Sequence, residues 1–109
     1  MARATSRVKL ALVGDILPLH AHPLRVAEEL AMLDVITCGR LIAGFVWGIP
    51  RESLVYGAPV REAKAHFDEA LEVVLGAWTS DAFSHHGQFL HYDAVDMGPR
   101  PYQQPHPPI

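Results

Sequence analysis

The first patterned stretch, Val8-Lys9-Leu10-Ala11-Leu12-Val13, is apolar except for one lysine and is closed by Gly14-Asp15. Its continuous hydrophobicity, β-branched ends and glycine stop predict a strand over Val8–Gly14, of the kind buried on both faces in parallel sheets. Ile16 to His22 reads as an irregular connector. Pro18 biases Leu17 toward extended backbone, and Pro23 stands where a first helical turn tolerates a missing N–H. From Pro23 to Ile36 the period becomes helical. Val26, Ala27, Leu30, Ala31, Leu33 and Asp34 share one side, and Arg25, Glu28, Glu29 and Met32 occupy the other. Cys38-Gly39 is a stop signal. A second apolar run follows at once, predicting a strand over Arg40–Val46 that ends at Gly48-Ile49-Pro50.

Strand, helix and strand with short links make a βαβ unit, which requires parallel strands. After a polar stretch from Arg51 to Ala58, a second helix is predicted over Pro59–Thr79. Ala63, Phe67, Ala70, Leu71, Val74 and Trp78 form its apolar stripe, and Arg61, Lys64, Asp68 and Glu72 its wet face. Beyond Ser80 the residues Gly87–Tyr92 suggest a short strand paired with Ala94–Met97. The end, Pro99–Ile109, is too rich in proline for a helix or a central strand. The expected organisation is a disordered start over 1–7, a βαβα core over 8–79, and an excursion over 80–109 with a short hairpin and a proline-rich tail. Two buried-type strands leave both sheet edges without partners. The chain is therefore expected to be a piece of a larger α/β domain that, alone, self-associates and does not catalyse.

Composition narrows the function classes. The chain has 109 residues, about one small domain, and a net charge of -3 without any Lys/Arg cluster, which argues against a nucleic-acid surface. The longest uncharged apolar stretch, Leu41–Pro50, is about half the ~20 residues that a membrane-spanning helix needs. Cys38 has no partner for an internal disulfide, and Leu10–Val13 is too brief for a signal-peptide core, so the expected location is cytoplasmic. No G-x-G-x-x-G fingerprint is present, so tight NAD binding is not expected.

The succession Leu17-Pro18-Leu19-His20-Ala21-His22-Pro23-Leu24-Arg25-Val26-Ala27-Glu28-Glu29, Leu33-Asp34, Gly39-Arg40-Leu41 and Gly44 through Glu52 resembles the flavin-dependent monooxygenases related to bacterial luciferase. Trp78-Thr79, Phe83-Ser84, Gly87, Pro99-Arg100-Pro101 and Gln104 through Pro108 continue the likeness. The resemblance implies a (β/α)₈ TIM barrel of roughly 250 residues or more. This chain would hold about a third of it, as a βαβα segment containing strands three and four. It also implies reduced FMN with O2 as co-substrate, a small organic substrate and a separate flavin reductase. Homo-oligomers are expected when the domain is complete. Some relatives use a deazaflavin instead.

In such a barrel the residues after the strands face the chemistry. This selects Gly14, Asp15, His20, Trp47 and Gly48 as cofactor-binding residues, and Leu17, Leu19, Ile49 and Glu52 as lining the substrate pocket. No catalytic residue is singled out. Trp47 is a departure, because relatives often carry an arginine there, aimed at the flavin, and an indole cannot reproduce its fork. His20 reads equally as a cavity-lining group and as a loop histidine, and Glu52 equally as a pocket acid and as a surface carboxylate. His20 and His22 form an HxH pair, the basis of an alternative metallohydrolase reading that lacks further zinc ligands. A non-catalytic remnant is the other alternative. His85, His86 and His91 are expected to face solvent, and His66 to sit on the wet edge of its helix. Asp34 and Arg40 are expected to form a structural ion pair or cap at the opposite end. Cys38, at a helix end, has no base positioned to activate it.

Overall fold

The computed structural model describes residues 1–109. Strand β1 (Leu10–Ile16) lies parallel to strand β2 (Leu41–Val46), with Leu10 beside Leu41, Leu12 beside Ala43, Asp15 beside Phe45 and Ile16 beside Val46. Helix α1 (Pro23–Ile36) connects them, with the predicted boundaries and with Pro23 in its first turn. The parallel βαβ unit expected from the pattern is present.

β1 runs two residues later than its predicted Val8–Gly14. Between Leu12 and Asp15 it carries one residue more than β2 does, and Gly14 absorbs the resulting bulge at φ +89°. The glycine therefore bends the strand without ending it, and pairing continues to Ile16. The connector is also more ordered than expected. Leu17–Leu19 forms a 3₁₀ turn that drives Leu17 into the core, where it is fully buried.

Two further helices follow. Helix α2 (Pro50–Val55) occupies the stretch read as polar and irregular. Pro50 supplies its first residue, and the Glu52 carboxylate accepts the Ile49 N–H at 2.8 Å, which is the return half of a capping box. A 3₁₀ turn at Val60–Glu62 precedes helix α3 (Ala63–Thr79), so the predicted second helix begins four residues late. α3 packs on α1 through Val73, Val74 and Ala77, and the Trp78 indole N–H donates to the Ala27 carbonyl at 2.9 Å. Leu41 and Ala43 of β2 join the same core. Burial on both faces of the sheet is not seen. The helices cover one face, while Val13 on the other is 92% exposed. No helix is long and apolar enough to cross a membrane.

The hairpin exists, in a register other than the one expected. β3 (Phe83–His86) pairs antiparallel with β4 (His91–Val95), and Gly87–Leu90 is the connecting loop. The Glu69 carboxylate on α3 causes the difference. It accepts the Phe89 and Leu90 amides at 3.0 and 2.9 Å and faces His85 Nε2 at 3.0 Å, so those amides are unavailable to a ladder. His85 is accordingly half-buried, not solvent-facing, and His66 is tucked against Phe89 with ring centroids 5.0 Å apart. Gly87 is required beside this contact, since a Cβ there would strike the Glu69 carboxylate. Burial opposes ionisation of Glu69, but the bonds from His85, Phe89 and Leu90 and the His85 charge outweigh it and hold its pKa below 4.5. A depressed carboxyl pKa stabilises fully above the ordinary value and loses its effect as pH falls through the depressed one. Acidification below about pH 4.5 is therefore expected to lower the melting temperature through this contact. Glu69→Gln should cost about 1.5–3 kcal/mol at neutral pH and flatten that acid slope. An equally steep acid slope in both proteins would refute the assignment.

At the end opposite the strand C-termini, Asp34 and Arg40 do not pair with each other. Asp34 is fully buried and accepts the Gln103 backbone N–H at 2.8 Å and its side-chain amide at 2.7 Å. The Arg40 guanidinium instead donates to the carbonyls of Ala2, Thr5 and Val8 and to Thr5 Oγ1. Both residues are structural, each for a partner distant in sequence. Arg40 gathers residues 1–7, expected as a disordered start, into turns. The proline-rich tail has no regular structure, as its composition requires, and ends beside β2, where the Pro108 carbonyl accepts the Ala43 N–H at 2.8 Å.

Candidate functional site

The C-terminal ends of β1 and β2 open onto an apolar depression of about 570 Å³. Val13, Gly14 and Ile16 line it from β1, Phe45 and Val46 from β2, and Trp47, Gly48, Ile49 and Glu52 from the loop and first turn of α2. Alternation explains the wall. Once the bulge is counted, Ile16 and Val46 stand side by side on the sheet face that the helices leave open. Gly14, Ile16 and Glu52 are shared with an adjoining depression that adds Asp15, Leu19, His20 and Tyr56. The two are continuous.

The structure thus brings together Gly14, Asp15, Leu19, His20, Trp47, Gly48, Ile49 and Glu52 of the predicted set. Leu17 is not among them, because the 3₁₀ turn points it into the core, and its place in the pocket is corrected on that ground. Val13, Ile16, Phe45, Val46 and Tyr56 were not anticipated. A glycine read as a bulge instead of a stop would have extended β1 to Ile16, and Pro50 with Glu52 two residues on would have signalled α2.

Trp47 is half exposed and meets Phe67 of α3 edge-on, with ring centroids 5.9 Å apart. Lys64, which pairs with Asp68, places its ammonium 5.7 Å from the Trp47 ring centre. Gly48 sits at φ +85°, and a Cβ there would stand 2.9 Å from Ile16 Cγ2. Glu52 is spent on capping α2, so it shapes the rim. His20 Nε2 lies 2.6 Å from Asp15 Oδ1, while His22 Nδ1 turns away to the Tyr92 hydroxyl at 3.3 Å. Burial pushes that phenol's pKa above 10.0, against the Leu24 backbone bond. The two histidines therefore serve separate partners, and no group of three His, Cys, Asp or Glu side chains converges anywhere, so the metallohydrolase reading has no donor set. Cys38, exposed at φ 54°, lies between the C-terminal end of α1 and the start of β2 and has no hydrogen-bonded base.

These walls suit the ring system of a flavin. The apolar side chains and the Trp47 indole offer flat contact area, and the glycine rim at Gly14 and Gly48 allows close approach. The depression contains no arginine to grip a phosphate. Arg61 and Lys64 line an adjoining recess of about 140 Å³ that shares Trp47, Gly48 and Ile49 with it. The residues lining the depression fit the ring, and none of them is a cation for the phosphate.

A parallel βαβ segment with an apolar site at its strand ends makes the chain an α/β protein, an arrangement that closed barrels and open doubly wound sheets share. The family model for luciferase-like monooxygenases matches residues 1–109, and the chain belongs to that family. It is 32% identical over 112 residues to the oxygenase component of a flavin-dependent trigonelline monooxygenase from Acinetobacter baylyi, covering 100% of this chain and 31% of the relative. It is 34% identical over 105 residues to an FMNH2-dependent dimethylsulfone monooxygenase from Pseudomonas putida, covering 93% and 29%. Among solved structures, monooxygenase RslO1 from Streptomyces bottropensis superposes with a TM-score of 0.88 at 38% identity, over 97% of this chain and 32% of that one. The chain spans about a third of the length of the relatives it matches.

Proposed function

We propose that this chain supplies two neighbouring strand ends, the third and fourth of an eight-stranded barrel, to the site of a monooxygenase that oxygenates a small organic molecule with reduced FMN and O2. The observation that carries the reading is the apolar depression at the C-terminal ends of two parallel strands, with an indole on its rim. The names of the relatives, one FMNH2-dependent and one an oxygenase component, support reduced FMN delivered by a separate reductase.

Bound there, the flavin would supply the electrons for oxygen chemistry, a task that side chains do not perform alone. The chain's own residues bind, orient and exclude water. Ile16, Phe45, Val46 and Ile49 would give the flavin an apolar wall, and the Trp47 indole stands on the rim. Gly14 and Gly48 keep the rim low, while Glu52 fixes α2 and with it the loop that carries Trp47.

Titration of FMN with the protein, followed by flavin fluorescence, tests this reading. In a completed barrel carrying this segment, Trp47→Arg is expected to tighten FMN binding about tenfold or more, since a charge-assisted bidentate contact contributes roughly 1.5–3 kcal/mol. An unchanged Kd would place position 47 away from the phosphate. Absence of FMN binding by the completed barrel with either residue at position 47 would remove the flavin assignment itself.

A further inference from the structure

We propose that His20, held by Asp15, accepts the proton of a bound small molecule that carries an acidic hydroxyl. The assignment rests on the strand-end depression being the substrate side of the proposed flavin site. His20 Nε2 stands 2.6 Å from Asp15 Oδ1, and the imidazole is 42% exposed against 21% for the carboxylate. Asp15 is thus the inner partner and His20 the outer one. An ionised carboxylate can only accept, so the proton of the neutral ring resides on Nε2 and leaves Nδ1 as the basic nitrogen. Asp15 follows the bulge at Gly14, which gives its side chain a fixed origin on β1.

Of the groups on this depression, only His20 is a nitrogen base set against a carboxylate. Glu52 of α2 faces the same depression, but its Oε2 already accepts the Ile49 N–H. Tyr56, also on the depression, has no carboxylate set against its hydroxyl as Asp15 is set against His20. His22 engages Tyr92. An imidazole fixed by a carboxylate is suited to taking and returning a proton near neutral pH.

The step balances simply. The hydroxyl O–H of the bound molecule breaks, its proton joins Nδ1, and the electron pair stays on oxygen as an anion. The new imidazolium lies against the Asp15 carboxylate, which offsets its charge. The proton then leaves to water at the exposed edge of the ring. The depression beside the dyad, walled by Ile16, Val46 and Ile49, receives the apolar body of such a molecule.

The probe is 4-nitrophenol, whose ionised form absorbs visible light, added to the whole chain at mildly acidic pH. Binding is expected to lower its apparent pKa by about one unit, a roughly tenfold gain in the phenolate-to-phenol ratio. His20→Asn should abolish that shift with the circular dichroism unchanged, Asp15→Asn should reduce it, and His22→Asn should leave it intact. No binding, binding without a shift, or a shift that survives His20→Asn overturns the proposal. A phenolate shift in a protein that does not quench FMN would uphold the dyad and strike only the flavin reading.

Discussion

Gly44→Val is expected to cost about 3 kcal/mol of stability, because a Cβ at this position would collide with the Leu12 carbonyl oxygen. The obstacle is backbone. It lies where β1 bulges toward β2, and the Gly14 amide is the next atom met, at 3.4 Å. A flexible side chain could swing aside, but a carbonyl at the start of a bulge moves only if the strand pairing moves with it. At the usual urea dependence of a small domain, the loss lowers the unfolding midpoint by about 1–3 M. An unchanged midpoint would show that the two strands do not approach this closely.

Asp34→Leu should be comparably damaging, at about 3 kcal/mol, for an electrostatic reason. Asp34 is fully buried, and its carboxylate is the acceptor for both the backbone and the side-chain amide of Gln103. Leucine leaves one buried N–H unpaired and weakens the other, and hydrogen bonds to a charged group contribute roughly 1.5–3 kcal/mol each. The tail should then come away from α1. Cleavage by chymotrypsin after Tyr102, which is 60% exposed, is expected to accelerate while the helix content persists. Equal cleavage rates in the two proteins would mean that Asp34 does not anchor the tail.

Much of this architecture was legible in the sequence, and the misses share a cause. Helix α1 was found to the residue because Pro23 and the Val26–Asp34 stripe are local signals. The parallel pair followed from two apolar runs flanking it. The hairpin register was misjudged because Glu69, which holds Phe89 and Leu90 out of the ladder, lies 20 and 21 residues away. Asp34 and Arg40 look complementary in sequence, yet Asp34 meets Gln103 across 69 residues and Arg40 meets Ala2 across 38. For the candidate site, position after a strand is the legible signal, and eight of the nine residues it selects line the two depressions. Leu17 is the exception, because a 3₁₀ turn within the connector gives it a definite inward direction that the local sequence does not signal.

The surplus residue at Val13–Gly14 has a bearing on how this strand can change length. β1 has seven residues opposite six in β2, and the excess is taken up entirely between Leu12 and Asp15. The placement of Asp15 and Ile16 is thus dictated by their neighbours Phe45 and Val46, not by the number of residues that precede them. Loss of one residue within the bulge would straighten the strand and leave the downstream pairing in phase. The same loss at Ala11 would slide the upstream half by one position and exchange its inner and outer faces. Substitutions aside, the strand has one place where a deletion leaves both of its halves in phase with β2, and it adjoins the depression that Asp15 helps to form.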